Sequence, residues 1–129
     1  MNNEKKYKLT DETKIVSGTT LRRIKALRDF GDVKSGNIGG WIESENSLSH
    51  NGNCWVFDGA WVFGNACVSG DAVVYDNACV SGNAKVSGNA RVYGHAEVSG
   101  NAKVSGDAKV SGNARVSGDS EVSGNTRIH

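Results

Sequence analysis

A branched aliphatic residue stands at every sixth position of this chain from Val56 through Val62, Val68 and onward to Ile128, thirteen positions without a miss. Four residues after each Val comes a small one, from Ala60 through Ala114 to Ser120 and Thr126, and most units read V-S-G-[ND]-A-x. A period of six fits neither an amphipathic helix nor the longer units of ankyrin, TPR or leucine-rich arrays. It fits a β-helix. The small residue and the Val alternate with outward residues along a short strand, so both point inward. The Gly-[Asn/Asp] pair that follows makes a corner, because these residues tolerate positive φ. Three such sides close a triangular coil, and coils stack about 4.8 Å apart through hydrogen bonds between strands. The segment from Val56 onward, with a degenerate opening coil before it, suffices for four to five coils. A disordered Gly-, Ser- and Asn-rich tract would not hold Val in phase over such a length. Each buried Val contributes roughly 1.5–3 kcal/mol, so a continuous ladder offsets the small side chains of single repeats.

The 129 residues make one domain with a small cap, expected over residues 1–40 ahead of a β-helix over 41–129. A formal charge of +1 argues against a general nucleic-acid or membrane-surface binder. The chain contains no apolar run near the roughly 18 residues of a membrane-spanning helix, and M-N-N-E-K-K-Y-K lacks the apolar stretch of a signal peptide, so a cytoplasmic location is expected. Cys54, Cys67 and Cys79 are odd in number and lie 13 and 12 residues apart, a spacing that suits neither a disulfide framework nor a zinc site. They read as reduced thiols, Cys54 on the small inward column and the other two facing outward. No metal site is expected.

The first fifty residues differ in kind: nine of the fifteen basic residues fall there, and no clean hexad does. The open end of a stacked parallel sheet invites unwanted strand pairing, so a cap is expected. Tyr7 to about Phe30 suits that role as strands around a turn at Ser17-Gly18. Leu21, Ile24 and Leu27 would also share a stripe on a short helix, but Ile24 and Ala26 alternate with charged residues, which favours strand. Beyond them, Gly36 to Gly40 reads as a turn rather than a dinucleotide site. The six-residue spacing of Ile42, Leu48, Cys54 and Ala60 predicts that they extend the small column backwards in register.

The leader Y-K-L-T-D-E-T, then R-I-K-A-L-R-D-F-G-D-V-K-S-G-N-I-G-G-W-I-E-S-E-N-S-L-S-H-N-G-N-C-W-V and the hexads that follow, resembles a phage and prophage family of hexapeptide-repeat proteins often labelled acyltransferases. The resemblance covers nearly the whole chain. It implies an all-β, left-handed parallel β-helix and a place in a bacterial host cell. Acyltransferases of this superfold use a catalytic His in a groove between subunits, with a loop projecting from the coil toward acyl-CoA. Here no hexad after Val56 is interrupted, and His50, His95 and His129 are the candidate bases. His95 replaces the corner Asn or Asp in V-Y-G-H-A-E, where any polar residue is accepted. His50, in L-S-H-N-G-N, suits a backbone-satisfying role in an irregular coil, and His129 is terminal.

Steps of eighteen residues separate the three sides. One carries Trp55 with Phe57, Val73 with Tyr75, Arg91 with Tyr93, Lys109 with Ser111, and Arg127 with His129, an aromatic ladder that passes into a basic one. Stacked aromatics of this kind exceed the patch a monomer usually exposes, and aromatics with Arg compose interface cores. Trp55, Phe57, Tyr75, Arg91, Tyr93, His95, Lys109 and Arg127 are therefore the candidate binding residues. Self-association into a dimer or trimer is one use of that side, helped by an uncapped strand edge at Ile128-His129. A host protein or a small anionic ligand is another. Three cations are few for a single-stranded nucleic-acid groove, and the outward Ser and mixed charge do not suit ice binding. The reading is a non-catalytic, oligomeric binding module without a cofactor, directed at a host (defence) protein or a small anion. The alternative is an acyl-CoA-dependent acyltransferase using His95 or His50. Fold alone does not decide between them.

Overall fold

The computed structural model describes residues 5–16, 18–31 and 33–128. It is a parallel β-helix closed at its N-terminal end by an antiparallel hairpin. Strand β1 (Tyr7–Val16) pairs antiparallel with β2 (Thr19–Ala26), and β2 pairs antiparallel with β3 (Ile38–Ile42). A 3-10 turn at Glu45–Ser47 follows, and then two-residue strands at every sixth position: β4 (Trp55–Val56), β5 (Trp61–Val62), β6 (Cys67–Val68), β7 (Val73–Val74), β8 (Cys79–Val80) and β9 (Lys85–Val86). The same spacing continues through β10 (Arg91–Val92), β11 (Glu97–Val98), β12 (Lys103–Val104), β13 (Lys109–Val110), β14 (Arg115–Val116), β15 (Glu121–Val122) and β16 (Arg127–Ile128).

Every third strand shares a face. The cap face runs β1-β2-β3-β5-β8-β11-β14, the aromatic face β4-β7-β10-β13-β16, and the third face β6-β9-β12-β15. Leu48 bridges Val68 and adds a fifth rung to the third face, so about five coils stack. Val56 through Val110 are fully buried along the axis, as are Ala60 and Ala72 through Ala108. The column opens toward the last coil, where Ser120 and Thr126 are exposed. Two corners carry side-chain ladders: Asn65 donates to Asn83, Asn83 to Asn101 and Asn101 to Asp119, at 3.1–3.2 Å, and Asn89 donates to Asp107.

The corners explain the Gly. At Gly88, φ is +65°, and a Cβ would stand 2.8 Å from the backbone nitrogen of Gly106 in the next coil. Side chains are excluded there by two independent causes, backbone conformation and the close stacking of corners.

The first coil departs from the repeat. Ile42 pairs with Val62 and Leu48 bridges Val68, both twenty residues on, whereas Val56 pairs with Val74, eighteen on. Ile42 and Leu48 therefore lie in the branched ladder, not in the small column that their spacing from Cys54 suggested. Two extra residues in the corner between Leu48 and Cys54 cause the slip. Gly39 and Gly40 also differ from the expected turn. They lie in β3, where a Cβ would come within 2.4–2.7 Å of Trp55, Ile24 and the carbonyls of Val56, Phe57 and Ala60. The residue pair that the sequence left between helix and strand, Leu21 and Ile24, is buried in β2, while Leu27 lies beyond the strand and is exposed. Ser17, of the expected Ser17-Gly18 turn, and His129 fall outside the described residues. The expected cap boundary at residue 40 falls inside β3, which the cap and the coils share. Among the described residues, no helix is long and apolar enough to cross a membrane.

Candidate functional site

Register alone builds the aromatic face. Parallel pairing of β4, β7, β10, β13 and β16 puts Trp55, Val73, Arg91, Lys109 and Arg127 in one outward column. Phe57, Tyr75, Tyr93 and Ser111, one residue past each inward Val, make the neighbouring column, held by ladder bonds such as Tyr75 N–H to the Val92 carbonyl at 3.0 Å. The Phe57 ring meets Tyr75 edge-on at 6.2 Å, and Tyr75 and Tyr93 stack at 4.9 Å with 3° between planes. Burial raises the Tyr75 hydroxyl above its ordinary pKa, with Tyr93 adding to the effect, so Tyr75 is a neutral phenol at physiological pH.

Trp55 is not part of the exposed face. It is 1% exposed, with Phe30 against it edge-on at 5.3 Å and Tyr7 at 6.1 Å. The chain that precedes the first coil folds back over it, because the hairpin's aromatic residues and the first indole bury one another.

Beside that cover lies a cleft of about 770 Å³. Gly31, Val33 and Ile38 of the cap form one wall, and Phe57, Val73, Tyr75 and Arg91 form the floor. Asn53, Asp71 and Asn89 edge it along one corner of the prism, and Asp58 and Asp76 edge it along the other. The three carboxylates already have donors. Asp58 is ion-paired with Arg23, Asp71 accepts the Asn53 N–H at 3.1 Å, and Asp76 accepts the Gly94 N–H at 3.2 Å. By contrast, no ion pair among the described residues includes Arg91, Lys109 or Arg127. The face thus pairs internally satisfied acids at the cap end with a cationic column that has charge to offer.

Asp76 carries a further mark. It is the one non-Gly residue with positive φ among the described residues, at φ 60°, on a corner where most units place Gly. Such conformations cost about 1–2 kcal/mol for an L-residue other than Gly and concentrate at functional sites. Asp58, Asp71 and Asp76 escaped the sequence reading because corner Asp looks like any turn residue. Asp76 gave one usable signal, since Y-D-N-A breaks the [SY]-G-[ND]-A corner.

The histidines separate. His95 is exposed on a corner between Asn77 and Asn113, its N–H bonded to the Gly112 carbonyl at 2.8 Å. His50 sits in the irregular corner, its ring stacked on Tyr7 at 4.2 Å. His50 Nδ1 accepts the Lys6 backbone N–H at 3.1 Å, and Nε2 lies 2.8 Å from the Glu45 carboxylate. The first bond places the imidazole proton on Nε2, so both ring nitrogens are engaged and no lone pair is left for base catalysis. A backbone-satisfying His50 is what its place in the sequence suggested.

All three cysteines are free thiols. Burial pushes Cys79 up to about 11, with Glu97 adding to it, and burial also raises Cys54, against the pull of Lys6. No group of three or more His, Cys, Asp or Glu among the described residues is arranged to hold a metal ion.

The fold and its faces define a parallel β-solenoid built from six-residue units. The family described as YdcK beta solenoid repeat matches residues 108–124. A protein of Escherichia coli (strain K12), described as uncharacterized acetyltransferase YdcK, is 44% identical over 62 residues. That match covers 42% of this chain and 19% of the relative's length. Both likenesses agree with a hexapeptide-repeat-like solenoid.

Proposed function

We propose that this protein is a non-catalytic β-helical binding module whose ligand seat is the cleft under the cap on the aromatic face. The observation that carries the reading is the juxtaposition, in one cleft, of Phe57 and Tyr75 with Arg91, which hydrogen-bonds Tyr75 but enters no ion pair among the described residues. Tyr93, stacked on Tyr75, extends the aromatic column past the cleft, and Lys109 and Arg127 extend the cationic one. A small ligand with a planar ring and an anionic group matches both halves: the aromatic edges and Val73 contact the ring, and Arg91 receives the anion through its fork of donors. The resemblance to phage and prophage proteins motivates placing that ligand, or an acidic surface of a host defence protein, in a bacterial host cell. Copies of the chain associate on this reading along the exposed part of the same face, as a dimer or trimer, and native mass spectrometry reads the subunit number.

The test is a thermal-shift series with nucleotides and aryl phosphates. Binding stabilises the fold by mass action, so a true ligand raises Tm in proportion to the logarithm of its concentration. The shift is expected in the native protein and lost in Arg91→Ala and Tyr75→Ala. Equal shifts in all three proteins would remove the cleft from the account.

The printed name of the Escherichia coli relative favours a second reading, acetyl transfer from acetyl-CoA. With both nitrogens of His50 engaged, His95 would be its base. That reading predicts turnover of acetyl-CoA that His95→Ala abolishes, and the binding-module reading predicts none.

A further inference from the structure

Lys6 is the least expected side chain in the molecule. It is fully buried in the first coil, where a Leu or Met would cost nothing to desolvate, and among the described residues no ion pair includes it. Its Nζ lies 2.6 Å from the Cys54 carbonyl, 3.3 Å from the Gly52 carbonyl and 3.3 Å from Cys54 Sγ. The irregular corner, with its two extra residues, supplies these acceptors, and the Phe30 ring closes the other side at 4.7 Å. Cys54 is itself fully buried, on a column where most units place Ala. The chain thus puts an amine and a thiol at contact distance, away from water, at the joint between cap and coil.

We infer that Lys6 and Cys54 form an oxidative modification site, a covalent Nζ–O–Sγ bridge that staples the residue just ahead of β1 to the first coil in the presence of dioxygen. Once the Lys6 ammonium has given up its proton to solvent, one N–H bond and the S–H bond break, and an S–O and an O–N bond form. Sulfur and nitrogen each lose two electrons. Dioxygen takes all four, one of its atoms becoming the bridge and the other leaving as water with the two hydrogens. Burial favours the step, since it lowers the Lys6 pKa and so promotes the free amine. A small apolar oxidant can enter where larger reagents cannot, and Cys67 and Cys79, with no lysine bonded to sulfur, have no such partner among the described hydrogen bonds.

Intact-mass spectrometry on the full chain tests this, comparing protein kept anaerobic with protein held under oxygen. The bridge adds one oxygen and removes two hydrogens, a gain of about 14 Da that dithiothreitol reverses. Cys54→Ala, which restores the residue used elsewhere in the column, should fold and show no gain. Digestion should yield a peptide joining Lys6 to Cys54, with trypsin unable to cut after Lys6. Three free thiols and an unchanged mass after oxygen exposure would overturn the inference. So would a gain of about 14 Da that resists dithiothreitol or persists in Cys54→Ala, since a sulfinamide or a methyl group then accounts for it.

Discussion

The first coil and the coils after it close the same triangle of strands by opposite means. From Cys54 onward each side repeats its neighbour: Ala and Val inside, Gly at the corner, and one parallel bond after another, so position in the period decides a residue's surroundings. Before Cys54 nothing repeats. A twenty-residue coil is held by single-use contacts: Tyr7 donating to the Leu48 carbonyl at 2.6 Å, His50 under the Lys6 N–H, and Trp55 between Phe30 and Tyr7. Repetition supplies stability through many equal rungs, as in other solenoids. Irregularity supplies chemistry, because an insertion can bring unlike groups together. The cleft lies where the two meet.

Breaking the ladder should have the largest effect. Val92→Asp buries an unpaired charge at mid-column, with no slack in the coil to expose it, and is expected to cost more than about 5 kcal/mol. Loss of the β signal in circular dichroism checks it; an unchanged spectrum and melting point would mean that the Val column does not face inward. Trp55→Ala strikes the joint instead, at about 3–5 kcal/mol. Hydrogen exchange should quicken in β1 and β2 while the strands from β10 onward keep their protection, since their neighbours are untouched. Uniform loss of protection would show that cap and coils unfold as one unit.

Gly88→Ala separates the two reasons for a corner Gly. It should cost at least about 2 kcal/mol, combining positive φ with the approach of Gly106, while Gly118→Ala, with open space around its Cβ, should cost only the conformational part. Equal losses in urea melts would leave conformation as the whole cause.

The smallest effect belongs to acid. The Glu45 carboxyl is held below the usual carboxylate range chiefly by its bond to His50, with Lys5 adding to it and partial burial opposing. A carboxylate whose folded pKa is depressed contributes fully above its unfolded pKa, and the contribution fades as pH falls through the folded value. The cap should therefore loosen below about pH 4. Because the pair is part-exposed, the effect stays under about 1 kcal/mol, and in Glu45→Gln the Tyr7 and Trp55 fluorescence should lose that pH step.

The regular coils were fully legible, since Val, Ala and Gly at fixed positions each have one physical use. The assignment of residues to the three faces followed from counting alone. Legibility ended at Leu48, because counting by six cannot detect two added residues in a corner and carries every earlier assignment into the wrong column. Trp55 shows the matching limit for the site. Its column was correct, but whether a column is open or covered depends on the cap, a long-range packing question that no local pattern answers. Asp71 and Asp76 were visible only as turn residues until the cap wall placed a cleft beside them. Lys6 read as one more leader cation because its burial depends on an insertion more than forty residues away.

The most direct test of the central claim is a titration of ¹⁵N-labelled protein, followed by amide shifts, with a nucleotide that raises Tm and separately with acetyl-CoA. If the cleft is the ligand seat, the nucleotide moves the amides of Phe57, Val73, Tyr75 and Arg91 together, and the acetyl group of acetyl-CoA is not consumed. Shifts centred on His95 with turnover of acetyl-CoA, and none at the cleft, would contradict it.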